Sequence, residues 1–238
     1  MMKKKKRVGI GIKLGIVIAS VLFVALGIRT AFDGINNYRQ ELENRTDYEL
    51  NIAHSNSSDI EWIFAGATTS AHQLRDYIEN ILKTSEKKDR KRDLIVGFTR
   101  ELLDSNSNLF GIGVYFKPNA FDGRDAEFEK SELFEKSKGR FYLYEDVVPG
   151  VNYEDIAFEN EDWYQESMES GNVISMEPYI EEGILCGTVT YPIREGSQLV
   201  GFVLVDINLD RFQEAIMKQF EERNVEGQSV TLFNEKGF

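Results

Sequence analysis

Two adjacent aromatic residues, Trp163 and Tyr164, stand in a polar stretch of the chain, "FENEDWYQESMESG", and Tyr179 follows in "MEPY". Residues of these types can act in two ways. Aromatic faces and phenol tips can wall a box for a small polar ligand, or they can fill the gap between a helix and a sheet. From the residues alone, the packing interpretation is favoured.

A carboxylate, Asp206, ends the apolar run "GFVLVD" in phase with Phe202 and Leu204. Such a strand is predicted to be central in a sheet, so an acid on its end needs a reason. One role is to cap the helix that we expect to begin near Leu209, but Asn208 is better placed for that role. A pocket role for Asp206 stays open beside it.

Other chemistries find little support. Ser85 to Lys88 matches the S-x-x-K of acylating serine enzymes but lies in a charge run, and His54 and His72 lie on a predicted helix. We find no nucleophile elbow, H-E-x-x-H or phosphate-binding glycine loop, so we predict no enzyme activity, catalytic residue, cofactor or metal. A calcium site in the loop "NAFDGRDAEFE" remains an alternative without EF-hand spacing, with its acids at Asp122, Asp125, Glu127 and Glu129.

The N-terminus predicts a membrane anchor. Residues 1–7 form a basic tail, and residues 8–28 are apolar apart from Lys13, which is long enough to cross a bilayer. The positive tail places the N-terminus in the cytoplasm and the rest of the chain outside, at a bacterial cell membrane. A cleaved signal peptide is the alternative. Of the 28 basic residues, seven precede Ala31, which leaves 21 against 40 acidic residues in the outer part, so nucleic acid is not expected as a partner.

Residues 31–105 predict a long helix and a second, shorter helix. The apolar positions from Ile60 to Ile81 fall at spacings of three and four, which makes one stripe for packing. The small residues of "AGATTSA" indicate that something approaches this helix closely. In the second helix, Ile95, Phe98 and Leu102 share one face.

After Asn108 the apolar period changes from 3.6 to 2, which predicts strands. In "LFGIGVYF", Phe110, Ile112, Val114 and Phe116 share one face, and Leu109, Gly111, Gly113 and Tyr115 share the other. The glycine face either packs against a helix or leaves room for a ligand. "GRFYLYED" predicts another strand, and from Asn172 onward "NVISMEPYI", "GILCGTVTYPI" and "QLVGFVLVDI" predict a meander, with Glu195-Gly196 as a turn.

The phrases "GIGVYFKPNAFDGRDAEF", "GRFYLY", "DWY", "EPY", "TYPI" and "GFVLVDINLDRFQ", in this order, resemble the double Cache sensor domains of bacterial methyl-accepting chemotaxis proteins. The resemblance implies an α+β fold: a transmembrane helix, a long helix packed on a PAS-like antiparallel sheet, and a second lobe. It implies that residues 107–222 form the membrane-distal lobe, which usually binds the ligand, and that residues 223–238 begin an incomplete membrane-proximal lobe.

The resemblance also implies a binding site. In the branch of the family that binds amino acids, a Trp-Tyr pair, a later Tyr and a strand-end Asp line the distal pocket. Together with residues from the neighbouring predicted strands, the candidate ligand-binding set is Tyr115, Tyr144, Trp163, Tyr164, Tyr179, Thr190 and Asp206.

This sequence departs from that branch at two positions. Glu161 stands where an arginine would clamp a ligand carboxylate, and Ile156 stands where a tyrosine is expected. An acid in place of the arginine repels a carboxylate. We therefore expect an amine, another cation or a neutral polar compound rather than an ordinary α-amino acid.

The function expected from the resemblance is the ligand-sensing input of a chemotaxis receptor, working as a homodimer in the inner membrane. The input domain of a histidine kinase or of a cyclic-dinucleotide synthase is an alternative output. A membrane-anchored adaptor without signalling output is a second alternative.

Overall fold

A computed structural model describes residues 10–148, 159–212, 214, 217 and 218, although not the side chains of residues 13, 16, 59 and 60. The chain divides into two units between Ser57 and Ser58. Helix α1 covers Ile10–Thr84, so the predicted apolar helix and the long helix predicted from Ala31 form one continuous helix. The predicted basic tail, residues 1–7, and the start of a second lobe, residues 223–238, lie outside the described residues.

The first unit holds the apolar segment. Among the described residues, α1 is the one helix that is long and apolar enough to cross a membrane, with a mean hydropathy of 2.4 in its most apolar window, none of it buried. Length and composition alone support this, and a signal sequence meets the same criterion.

The second unit contains an antiparallel sheet flanked by helices. Its helix α2 covers Arg92–Ser105, and α3 covers Asp162–Ser170. Six strands pair in the order β2-β1-β6-β5-β3, with β4 also on β5. The strands are β1 Leu109–Phe116, β2 Tyr142–Asp146, β3 Ile174–Ser175, β4 Tyr179–Glu181, β5 Ile184–Glu195 and β6 Gln198–Asn208. The predicted α+β class with a long helix and an antiparallel sheet is confirmed.

The larger apolar core lies between one face of the sheet and the helices. Val203, Val205 and Ile207 of β6 belong to it, together with Ile95 and Leu102 of α2. The predicted stripe of α1 is buried in the same core at Ile63, Ala67, Ala71, Leu74, Ile78 and Ile81.

The small residues of α1 admit the loop that leads into β1. The side-chain amide of Asn106 donates to the carbonyl of Gly66 and to Ser70, each at 3.0 Å. A Cβ on Gly66 would lie 3.4 Å from the side-chain nitrogen of Asn108, at van der Waals contact, so the loop lies directly against the helix there.

The face assignment of Leu109 needs correction. We placed it with Gly111 and Tyr115, but its side chain lies in the helix-facing core. The pairing of β1 with β6 shifts register between Leu109 and Gly111, and such an irregularity breaks the alternation of side chains along a strand.

The meander is interrupted where one strand was predicted. The run "NVISMEPYI" forms two short strands, β3 and β4, because Pro178 between them has no N–H to donate to a ladder. The turn at Glu195-Gly196 forms as predicted, and Gly196 has a positive φ of 62°. Asn208 takes the capping role, since its side-chain oxygen accepts the N–H of Asp210 at 3.1 Å.

A buried arginine pairs with acids of the loop that was considered for calcium. Arg92 is fully buried and donates to both oxygens of Asp122, at 2.8 and 3.0 Å, and to Asp125 at 2.7 Å. Burial raises the pKa of Asp122, but Arg92 and Arg124 outweigh it and hold that pKa below its usual value. These carboxylates therefore neutralise an internal cation, and within the described segments no group of acids, histidines or cysteines is placed to hold a metal ion.

Candidate ligand-binding site

The second face of the sheet carries an aromatic cluster and a cavity. Phe202 and Leu204 of β6 point to this face, opposite to the helix-facing core, because side chains alternate along a strand. The cavity has a volume of about 470 Å³, which suits a small organic ligand. It is lined by Tyr115, Tyr144, Trp163, Met176, Tyr179, Glu181, Thr188, Leu204 and Asp206.

Asp206 lies at the base of this cavity with 3% of its surface exposed. Strand pairing places Thr188 of β5 directly beside it, and the Thr188 hydroxyl donates to one carboxylate oxygen. The Tyr144 hydroxyl donates to the other oxygen at 2.5 Å. Both oxygens are thus held by neutral donors rather than by a cation.

The glycine face of β1 makes room for Tyr144. Gly111 pairs with Asp206, and Gly113 pairs with Tyr144. A Cβ on Gly111 would lie 2.1 Å from the Tyr144 hydroxyl, and one on Gly113 would lie 3.0 Å from the Tyr144 ring. We expected this face either to pack against a helix or to leave room for a ligand. Instead, the glycines leave room for the Tyr144 ring, which itself lines the cavity.

The cavity is electronegative. Burial raises the pKa of Asp206, and hydrogen bonds from Thr188, Tyr144 and Tyr179 only partly oppose this. Burial, together with the charges of Glu182 and Asp206, also raises the pKa of Glu181. Among the described lining residues there is no lysine or arginine. A bound cation would therefore meet two carboxylates and no competing positive charge.

Five of the seven residues expected to bind ligand line the cavity: Tyr115, Tyr144, Trp163, Tyr179 and Asp206. The rings of Tyr115 and Trp163 meet edge to face, with centroids 6.0 Å apart. Trp163 is half-buried and reaches the cavity from α3, whereas Tyr179 arrives from β4.

The structure places Tyr164 and Thr190 beside the cavity rather than in its lining. The Tyr164 hydroxyl lies 2.7 Å from the Tyr142 hydroxyl, and Thr190 lies 2.9 Å from the hydroxyl of Ser167. Both side chains are buried and used for holding α3 on the sheet. The motif places Tyr164 correctly next to Trp163, but consecutive helical residues point about 100° apart, so only one faces the cavity.

Four lining residues were missed: Met176, Glu181, Thr188 and Leu204. Thr188 and Leu204 share a face with Thr190 and Asp206 in the alternation, and that pattern could have found them. Glu161 is exposed ahead of α3 and is not in the lining, so the carboxylates of the cavity are those of Asp206 and Glu181 instead. Ile156 lies outside the described residues.

A family model covers this part of the chain. Residues 95–214 match the model described as "Methyl-accepting chemotaxis protein-like, first PDC sensor domain". The chain belongs to this family. The resemblance to chemoreceptor sensor domains is confirmed, and the segment is a ligand-sensing input domain of the chemoreceptor type.

One relative is the methyl-accepting chemotaxis protein TlpQ of Pseudomonas aeruginosa, which is 30% identical over 144 residues. That alignment covers 51% of this chain and 20% of TlpQ. The match therefore concerns a small part of that receptor.

Two solved structures have similar folds. The extracellular domain of the histidine kinase mmHK1S-Z3 is 26% identical, with a TM-score of 0.52, over 75% of this chain and 58% of the other. The ligand-binding domain of Campylobacter jejuni chemoreceptor Tlp3, solved with L-norvaline, is 16% identical, with a TM-score of 0.52, over 76% of this chain and 63% of the other. In both, this chain spans less than two thirds of the compared domain.

Proposed function

We propose that the cavity binds a small organic cation or a neutral polar molecule, and that this binding is the input signal of a chemotaxis receptor. The observation that carries the proposal is the lining itself: two carboxylates, Asp206 and Glu181, among four aromatic side chains. Aromatic faces attract a cation by their quadrupole, most strongly where water is excluded. An amine, a betaine-like compound and a purine are the expected ligand types.

An α-amino acid is the second candidate, because the Tlp3 domain of similar fold was solved with L-norvaline. Its ammonium group would fit beside Asp206. Its carboxylate would then lie in a cavity whose described lining offers no lysine or arginine and already contains Glu181. Desolvation of that carboxylate without a partner costs several kcal/mol, so the amino acid is the weaker candidate.

Arg194 contacts both the end of α3 and α1, and so could transmit a movement of α3 at the cavity to α1. The guanidinium of Arg194 donates to the carbonyl of Gly171, at the end of α3, at 2.8 Å. The backbone N–H of the same residue donates to Glu79 of α1, also at 2.8 Å. A ligand that draws α3 toward the sheet would therefore move a contact that α1 shares.

The mechanism we propose is a population shift. A ligand that prefers the closed cavity moves the equilibrium only by its difference in affinity for the two states, typically about 1 to 3 kcal/mol. Helix shifts of roughly 1 to 2 Å suffice in characterised switches. Helix α1 would pass such a shift toward the apolar segment.

The rest of the assignment is also part of the proposal. The apolar segment anchors the chain in a bacterial cell membrane, with the N-terminus in the cytoplasm and the sensor outside, and the receptor acts as a homodimer. A chemotaxis output is favoured by the family model and by TlpQ. A histidine kinase output is the alternative, because a kinase sensor of similar fold is 26% identical.

Thermal unfolding of the purified chain with a panel of amines, betaines, purines and α-amino acids tests this function. A sensor is stabilised by its ligand and returns it unchanged. Conversion of the ligand would indicate an enzyme, and a chain that copurifies with a protein partner but responds to no compound would indicate an adaptor. Stabilisation by α-amino acids alone, abolished in Asp206→Ala, would overturn the proposed ligand class.

A further inference from the structure

A hydrogen-bonded network of four side chains joins α3 to β2. Arg140 and Glu159 contact the Tyr142 hydroxyl, at 2.9 Å and 2.7 Å, and Arg140 also pairs directly with Glu159. The Tyr164 hydroxyl lies 2.7 Å from the same phenol oxygen. The network therefore connects α3, which carries Trp163, with the strand that carries Tyr144.

The direction of each hydrogen bond follows from counting protons. A phenol has one proton to donate and two lone pairs that accept. The proton of Tyr142 goes to the Glu159 carboxylate, and Arg140 donates to the Tyr142 oxygen. Tyr164 must therefore donate its own proton to Tyr142, and its hydroxyl has no second proton for a ligand.

A second attachment lies farther along α3. The Ser167 hydroxyl donates to the carbonyl of Trp163 at 2.7 Å, so the Thr190 hydroxyl is the donor to Ser167 at 2.9 Å. Helix α3 is thus fixed to β2 through Tyr164 and to β5 through Ser167. The Trp163 ring lies beside these attachments, perpendicular to the Tyr164 ring, with centroids 5.8 Å apart.

We infer that Tyr164 is a positioning residue, which sets the Trp163 ring over the cavity through its hydrogen bond to Tyr142 instead of contacting the ligand. The inference rests on the proposed function only in its binding consequence, since the position of Trp163 is a property of the free protein. Removal of the phenol oxygen frees the start of α3 while the ring remains to fill its place.

Tryptophan fluorescence tests this in the absence of ligand. The sequence has two tryptophans, and Trp62 is 69% exposed on α1, so Trp62→Phe leaves Trp163 as the only reporter. In that background, Tyr164→Phe is expected to red-shift the Trp163 emission and to raise its acrylamide quenching constant. Tyr142→Phe is expected to do the same, although it also removes the contacts to Arg140 and Glu159. The double variant should therefore raise quenching no further than Tyr142→Phe alone, because that substitution already removes the bond to Tyr164.

Tyr191→Phe is the matched control. It removes the same atom from a buried tyrosine in the helix-facing core, away from α3, and should leave Trp163 quenching unchanged. Thermal midpoints of all the variants show whether each remains folded at the temperature of the measurement.

A binding arm uses phenethylamine as the probe, measured by calorimetry. Tyr164→Phe is expected to weaken binding by about fivefold, the factor that corresponds to one net hydrogen bond. Unchanged quenching with a large loss of binding would show that Tyr164 touches the ligand, and unchanged quenching with unchanged binding would show that it only packs. Either result overturns the inference. If wild type does not bind the probe, the amine part of the proposed ligand class is wrong, and the quenching arm still decides the role of Tyr164.

Discussion

The Tyr144 hydroxyl donates a 2.5 Å hydrogen bond to Asp206, across a strand that contributes only glycine at the crossing point. Tyr144 is on β2 and Asp206 is on β6, with β1 between them. Gly111 pairs with Asp206 and leaves the space that the Tyr144 ring needs. The acid at the base of the cavity is therefore held in place by a residue two strands away.

Gly111→Ala tests this relationship. The new Cβ would lie 2.1 Å from the Tyr144 oxygen, so the ring must move away from Asp206. We expect a stability loss of about 1 to 3 kcal/mol, typical of overpacking, and loss of cation binding. Urea unfolding and calorimetry measure the two effects.

Gly97→Ala is the control for Gly111→Ala. Gly97 lies on α2 with nothing within 4 Å of its added Cβ, so alanine should be neutral or stabilise by about 0.5 to 1 kcal/mol. If Gly111→Ala behaves like Gly97→Ala, the close contact between Gly111 and Tyr144 does not shape the site.

Asp206→Asn should make the ligand-free protein more stable at neutral pH. Burial raises the pKa of Asp206, so the folded state holds its proton more tightly than the unfolded chain does. The stability contributed by the neutral acid is present below the unfolded pKa and is lost as pH rises through the folded pKa. Asparagine does not ionise and keeps a carbonyl for Tyr144.

Urea unfolding between pH 4 and pH 8 measures this difference. The gap in free energy of unfolding between Asp206→Asn and wild type should widen as the pH rises, while cation binding is lost in the variant. If this difference in free energy narrows with rising pH, the surroundings stabilise the ionised form of Asp206. That result would contradict an electronegative cavity that binds cations.

Glu181→Gln should weaken cation binding without abolishing it. Glu181 is partly exposed at the cavity, so its interaction is screened and is worth roughly 0.2 to 1 kcal/mol, a factor of up to about fivefold. The effect should shrink as salt is added. Glu177→Gln removes the same charge from an exposed residue outside the lining, and equal effects of the two substitutions would assign the change to general charge.

Arg92→Leu should destabilise the fold by about 3 to 5 kcal/mol, because it leaves Asp122 and Asp125 buried without their cation. The lowered pKa of Asp122 gives the pH dependence: its contribution is present above the unfolded pKa and is lost as pH falls through the folded pKa. The loss caused by Arg92→Leu should therefore be larger at pH 7 than in strong acid.

Arg100→Leu is the comparison for Arg92→Leu. It breaks an exposed pair with Glu145, which is worth about 0 to 1 kcal/mol.

Calcium gives a second test of the acidic loop. Because Arg92 already neutralises its acids, millimolar calcium should not stabilise wild type, and stabilisation would contradict this role of Arg92.

The elements of the fold were predictable because their patterns are strong. The stripe of α1 marks one buried face, and the continuous apolar run of β6 marks a central strand; both are buried as expected. The face of Leu109 was not predictable, because a register shift in β1 depends on the partner strand and leaves no mark in the sequence. The division of one predicted strand into β3 and β4 could have been predicted, because Pro178 has no N–H for a ladder. We predicted a single strand because the apolar pattern continues across the proline.

The sequence predicted those cavity residues that belong to a family motif or to a long alternating strand. Trp163 and Asp206 were found through the family likeness, whereas Glu181 was missed because a short strand after a proline carries too little alternation to assign its faces. Tyr164 lies next to the site, but its role depends on Tyr142 and Glu159, which are far away in sequence. The buried arginine at the acidic loop was missed for the same reason.

The most direct test of the account is calorimetry with probes that differ by one charged group, on wild type and on Asp206→Asn. Phenethylamine, L-phenylalanine and 3-phenylpropanoate share one ring and one chain, and they carry an ammonium group, both groups and a carboxylate respectively. We expect the amine to bind wild type most tightly, the amino acid less tightly and the carboxylate least. Asp206→Asn should remove the advantage of the amine. Tightest binding by the amino acid, with no binding of the amine, would contradict a cavity built for cations.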